Sequence, residues 1–231
     1  MTKTDRNAAY LQRYQAGSNP FTQYAQEGGP GIKGKHLTNT KGDWLIGQDK
    51  TPVPQGAKFL VLVTEAIRGF VKFSDQGIVD ARVGRVADNF IEPHRHTLGD
   101  MEEGLWQLFD GKPRDPWCRY VGVPMIELSP PHGDVTFTGT SWGAQLALKE
   151  LCRVYGAEAH HFADCFPVVT LTTKNRPHKT YGQIKGPWFE VVGWATPEDV
   201  RQGRKAAPKP SIPVADMVAN LEEAEADEIA W

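Results

Sequence analysis

The densest chemistry in the chain lies in twelve residues, Lys174-Asn-Arg-Pro-His-Lys-Thr-Tyr-Gly-Gln-Ile-Lys185. They include Lys174, Arg176, Lys179, Lys185 and Tyr181, contain no acid, and run directly into Trp188 and Phe189. Interleaved cations and aromatics suit a single-stranded nucleic acid. Cations follow phosphates, and ring faces stack bases at roughly 1–3 kcal/mol each without reading their identity. The plain alternative is a hairpin tip kept soluble by Lys; the missing acids and the adjacent Trp favour binding. A second group, Arg68, Phe70 and Lys72 with Arg82 across from them, shares one strand face if Val71 and Phe73 point inward. Trp44, Trp117 and Tyr120 read as aromatics that seal the ends of a barrel.

The C-terminal segment is chemically marked in the opposite sense. Six of the 28 acids fall within residues 212–231, which hold no Lys or Arg, leaving 26 basic side chains against 22 acidic ones elsewhere. A mildly basic body with an acidic tail is a pattern for partners of two kinds. The end itself, with Asp227, Glu228, Ile229 and Trp231, puts an indole beside carboxylates, which suits a pocket with a basic rim. Val214, Val218, Leu221 and Ala224 also have the spacing of an amphipathic helix docked on the body.

Other chemistry is thinly represented. His94 and His96, or His160 and His161 with Asp164 and Cys165, bring ligand types together without an HExxH spacing. There is no phosphate-binding GxxxxGK[ST], no dinucleotide glycine fingerprint and no GxSxG. Hence no metal, cofactor or catalytic residue is expected; a metal-dependent enzyme on nucleic acid, built around His94 and His96, is the alternative. The hydroxyls of Thr138-Gly-Thr-Ser-Trp-Gly143 would suit a phosphate at a helix start or ordinary capping. Three cysteines without a CxxC pair, no apolar run near the ~20 residues of a membrane span, and no leader-like opening predict a cytoplasmic protein without membrane partners.

The elements that must position these residues read as mainly β. Residues 1–40 are Gly-, Asn- and Gln-rich and predict an irregular arm. Strand signals run through 42–47, 58–73 and 78–86, the second long enough to bend across a barrel. Residues 88–117 predict an excursion with one helical turn, followed by strands at 118–128 and 134–139. A helix over 142–155 has Ser141 as its cap and Gly156 as its stop, and strands at 166–173 and 187–194 follow. Five strands with one helix between the third and fourth is the chain order of an OB-fold, with 42–86 able to supply extra strands and an α+β sandwich as the alternative. The expected division is an arm at 1–40, an OB-fold-like domain at 41–200 with its insertion at 88–117, a linker at 201–213 and the acidic tail at 214–231.

KGDWLIGQD (41–49), LGDMEEGLWQLFDGKPRDPW (98–117), VTFTGTSWGAQLALKELCRVYG (135–156) and FPVVTLTTKNRPHKTYGQIKGPWFEVVGW (166–194) together resemble a group of bacteriophage and prophage proteins. The last segment and the acidic aromatic tip are similar to phage single-stranded-DNA-binding proteins. That resemblance implies an OB-fold on the strand, no enzymatic activity, and a tail contacting replication or recombination proteins, with self-association left open. The tip departs from the bacterial tail pattern in ending Ile-Ala-Trp where Pro-Phe is usual. A phage protein that inhibits a host factor is a further alternative.

Overall fold

Apolar side chains fill both faces of the segment 117–127, and the sheet is built outward from it, as from any strand covered on two sides. The computed structural model describes residues 32–75, 77–109, 111–130, 132–162, 164–178, 182–203 and 207–208. The described chain enters through β1 (Lys35–Thr40), turns at Lys41 and Gly42 into β2 (Asp43–Ile46), and adds a short β3 (Thr51–Pro52). Next come β4 (Lys58–Val61) and β5 (Ile67–Ser74), separated by a 3-10 turn at Val63–Glu65. The expected long strand is therefore bent in two. The hairpin partner β6 (Gly77–Arg85) completes this part of the sheet.

After β6 the excursion makes 3-10 turns at Arg95–Leu98 and Glu103–Leu105 and a two-residue pair, β7 (Leu108–Phe109) and β8 (Lys112–Pro113). Then follow β9 (Trp117–Glu127), β10 (Asp134–Gly139), α1 (Trp142–Glu158), β11 (Phe166–His178), β12 (Gly182–Ala195), α2 (Pro197–Arg201) and β13 (Ala207–Pro208).

One edge of β9 serves both β5, from Trp117 to Gly122, and β4, from Met125 to Glu127. Pro124 stands at the changeover. Its carbonyl accepts from Leu62 N on this edge, so its missing N–H falls in the gap between β5 and β4 and breaks no ladder bond. The other edge pairs with β10, which in turn holds β1 in parallel. On the far side β4 pairs with β11, β11 with β12, and β12 with β13. Eleven strands thus form one curled half-barrel among the described residues, where the sequence pattern gave five. The additional strands come partly from β2 and β6, at the 42–47 and 78–86 signals, from the short β3 and from the division of 58–73 into β4 and β5, and partly from β1 and β13. The latter two lie in stretches that read as arm and linker.

Curling brings distant strands together over α1. Trp44 on β2 donates through Nε1 to the carbonyl of Thr172 on β11, at 2.9 Å. Its ring packs with Phe137 and Phe189, centroids 5.5 and 5.7 Å away. Ala144, Ala147, Leu148 and Leu151 of α1 close this core against Val123 and Val169. Ser141 caps the helix as expected, accepting from Ala144 N. Gly156 does not stop it: α1 runs on to Glu158 and a further 3-10 turn. The extension is held by rings, with Tyr155 stacked on Phe166 and Phe162 on Trp194, and this burial outweighs the local preference of glycine. Among the described residues no helix is long and apolar enough to cross a membrane.

Candidate nucleic-acid interface

Period-two alternation and the register of β11 with β12 decide which hairpin side chains share a face. Thr172 pairs with Trp188, Lys174 with Gly186 and Arg176 with Ile184, so Lys174, Arg176 and Trp188 stand together. The Lys174 ammonium lies 3.3 Å from the centroid of the Trp188 ring and the Arg176 guanidinium 5.7 Å. Both cations sit over one indole, an arrangement attractive through the ring quadrupole. Burial pushes the Lys174 ammonium below its ordinary pKa, opposed by the Glu150 carboxylate of α1, and burial likewise lowers Arg176. Arg176 Nη1 is buried with no hydrogen-bond partner among the described residues. A phosphate oxygen is the acceptor such a desolvated donor lacks.

Lys185 belongs elsewhere. It pairs with Asn175 and therefore points to the opposite face, where its side chain packs against Gly42 in the β1–β2 turn. Lys179 and Tyr181 lie outside the described residues, as do Asp227, Glu228, Ile229 and Trp231 of the tail.

The second group is partly spent on structure. Val71 is fully buried, as the inward parity requires, but Phe70 on the other face is also buried, at 6% exposure. Arg68 donates to the Phe90 carbonyl at 2.7 Å, and Lys72 is paired with Asp100. What the register adds is a row across three strands, Arg82, Phe70 and Arg119, with the Arg119 guanidinium 5.8 Å from the Phe70 ring. Arg119 was missed because nothing in its neighbourhood in sequence announces a partner on β5. It also borders a cleft of about 490 Å³ that includes His94 and Trp117.

The excursion is pinned from its base. Arg95 forks onto Asp115 with bonds of 2.7 and 2.6 Å and also donates to the carbonyls of Gly99 and Asp100. The Asp100 carboxylate accepts from Lys72 and from Trp117 Nε1, and these bonds hold it below the usual carboxylate range. Beyond this anchor Leu105, Leu108 and Phe109 are exposed. His94 and His96 stack with centroids 5.5 Å apart. Among the described residues no group of three or more His, Cys, Asp or Glu side chains is placed to hold a metal ion.

Comparison with known proteins leaves the geometry to speak for itself: no family model, no curated protein and no solved structure matches this chain.

Proposed function

We propose that this protein binds single-stranded DNA through the β11–β12 hairpin, as an OB-fold-like module without catalytic activity. The carrying observation is the placement of two cations, Lys174 and the partly buried Arg176, over the indole of Trp188. A phosphate draws the cations away from the ring and frees its face for a base, so one cluster supplies both halves of single-strand recognition. The chain order supports the fold half of this reading. The bent β4–β5 pair, then β9 and β10, then α1, then β11 and β12 follow the succession of an OB-fold, in which the loop joining the last two strands lines the binding groove. On this reading β1 and the β5–β6 hairpin are additions to the barrel. The acidic tail serves to recruit proteins of phage DNA replication, recombination or repair.

The test is a titration of labelled oligo(dT) at several salt concentrations. Binding is expected to weaken linearly in log–log form as salt rises, because each neutralised phosphate releases counterion. The double variant Lys174→Ala, Arg176→Ala is expected to lose most of the affinity while keeping the fold. Absence of any binding by the wild type at low salt rejects the proposal.

A further inference from the structure

The excursion between β6 and β9 holds apolar side chains out in water. Leu105 and Leu108 are 79% and 70% exposed, and Met101 and Phe109 are each more than half exposed. All four line one cleft of about 1010 Å³, which reaches the end of β5 at Phe73. Single apolar residues on a surface need no explanation, but a group gathered along one cleft marks a place where something docks. The segment that carries them is firmly held. Besides the Arg95–Asp115 fork and the Asp100 bonds to Lys72 and Trp117, Trp106 Nε1 donates to the Asp100 carbonyl at 2.8 Å. These polar bonds fix the excursion with its apolar side outward.

Charge and chain path narrow what covers it. The cleft carries four acids, Asp75, Asp100, Glu102 and Asp115, against two cations, Lys72 and Arg114. Lys72 is bound to Asp100, and the Arg114 guanidinium lies 4.9 Å from the centroid of the Phe109 ring. With carboxylates in excess, the acidic tail and a phosphate strand are both the wrong occupants. A second cleft adjoins this one. Phe73 and Thr140 line both, and Ile32, the first described residue, lines the second. The chain therefore joins the described body beside the apolar group, with 31 residues ahead of it.

Those residues have the matching chemistry. They hold Tyr10, Leu11, Tyr14, Phe21 and Tyr24, and the first fourteen carry Lys3, Arg6 and Arg13 against a single acid, Asp5. Tyr10, Leu11 and Tyr14 stand at i, i+1 and i+4, the spacing of one side of a helical turn. The chain from Tyr14 to Ile32 can span up to about 60 Å when extended, so length is no obstacle.

We propose that the segment preceding Ile32 docks on this cleft within its own chain. Tyr10, Leu11 and Tyr14 cover Leu105, Leu108 and Phe109, and its basic residues face Asp75 and Glu102. The inference is independent of strand binding, which uses the hairpin.

The experiment uses the full chain with the photo-crosslinking residue p-benzoylphenylalanine in place of Leu108. After irradiation and digestion, the linked peptide is identified by mass spectrometry, from a mixture of isotopically light and heavy chains. The expected product joins position 108 to the segment 8–24 of the same chain. Links between light and heavy chains mean that a second copy covers the face, and overturn the proposal. Links to other peptides alone, or none, overturn it too. Limited trypsin digestion gives a second readout with natural residues. Cleavage after Arg13 is expected to be at least about tenfold faster in the variant Leu105→Ser, Leu108→Ser than in wild type, because it tracks the undocked population and two covered leucines bias that population. Both positions are exposed, so the variant is expected to keep its fold, which circular dichroism checks. Equal cleavage rates in the folded variant and wild type overturn the proposal, and a variant that fails to fold leaves the crosslink to decide it.

Discussion

The Lys174 ammonium sits 3.3 Å from the centroid of the Trp188 ring, closing the aromatic face that a base would need. Cation and ring therefore make separable contributions once a strand is bound. Lys174→Met, which keeps length and removes charge, is expected to reduce the salt slope of oligo(dT) binding by about one. Trp188→Ala is expected to weaken binding by roughly 1–3 kcal/mol with the slope unchanged. Titrations at three or more salt concentrations separate the two, and identical behaviour of the variants means the pair acts as one structural unit.

Gly69 and Gly156 are expected to respond to alanine in opposite directions. Gly69, in β5, has φ +144°, and a Cβ there would meet the Arg82 carbonyl oxygen at 2.1 Å. Gly69→Ala is expected to destabilise by at least about 1–3 kcal/mol through backbone strain in the β5–β6 hairpin. Gly156 is helical, with open space around its missing side chain. Gly156→Ala is expected to stabilise by roughly 0.5–1 kcal/mol. Urea unfolding of the two variants checks both signs.

His36 gives the stability a pH dependence of known sign. Burial holds its folded-state pKa below the ordinary 6.5, so the unfolded chain takes up the proton first as pH falls. Its contribution is complete above about pH 6.5 and is lost as pH drops through the folded-state value. Thermal melts of wild type and His36→Gln from about pH 8 to 5 are expected to converge toward acid, with the wild type falling more steeply. Parallel curves would exclude His36 as a source of the slope.

Deletion of residues 222–231 removes five of the tail's acids together with Trp231. If the acids compete with DNA for the basic hairpin, the truncated chain is expected to bind oligo(dT) more tightly, most clearly at low salt, where screening is weakest. An affinity unchanged across salt concentrations leaves partner recruitment as the tail's role.

The hairpin cluster was legible in sequence because its composition is local. Cations without acids lie beside a Trp, and alternation then places Lys174 and Arg176 on one face. Lys185 stands on the opposite face, which composition does not show because it carries no hairpin register and one residue decides the face. The helix start was legible from Ser141, but its end was set by Tyr155 and Phe162 stacking on rings of later strands. Nothing near Asp100 in sequence announces a partner, and only the fold brings Lys72 and Trp117 to it. β1 was hidden for a related reason. Within KHLTNT only Leu37 is buried, and the strand is fixed by a partner far away in sequence.

That distance carries a kinetic consequence. Lys33 and Thr136, which exchange hydrogen bonds where β1 meets β10, are separated by 103 residues, so β1, the first strand among the described residues, waits for β10 before it can dock. Closing so long a loop before any reward is received slows docking, as non-local strand pairing does in general. During that wait Leu37 and Trp44 are exposed, and a nascent chain stalled short of residue 134 would present them as an unpaired apolar hairpin to chaperones.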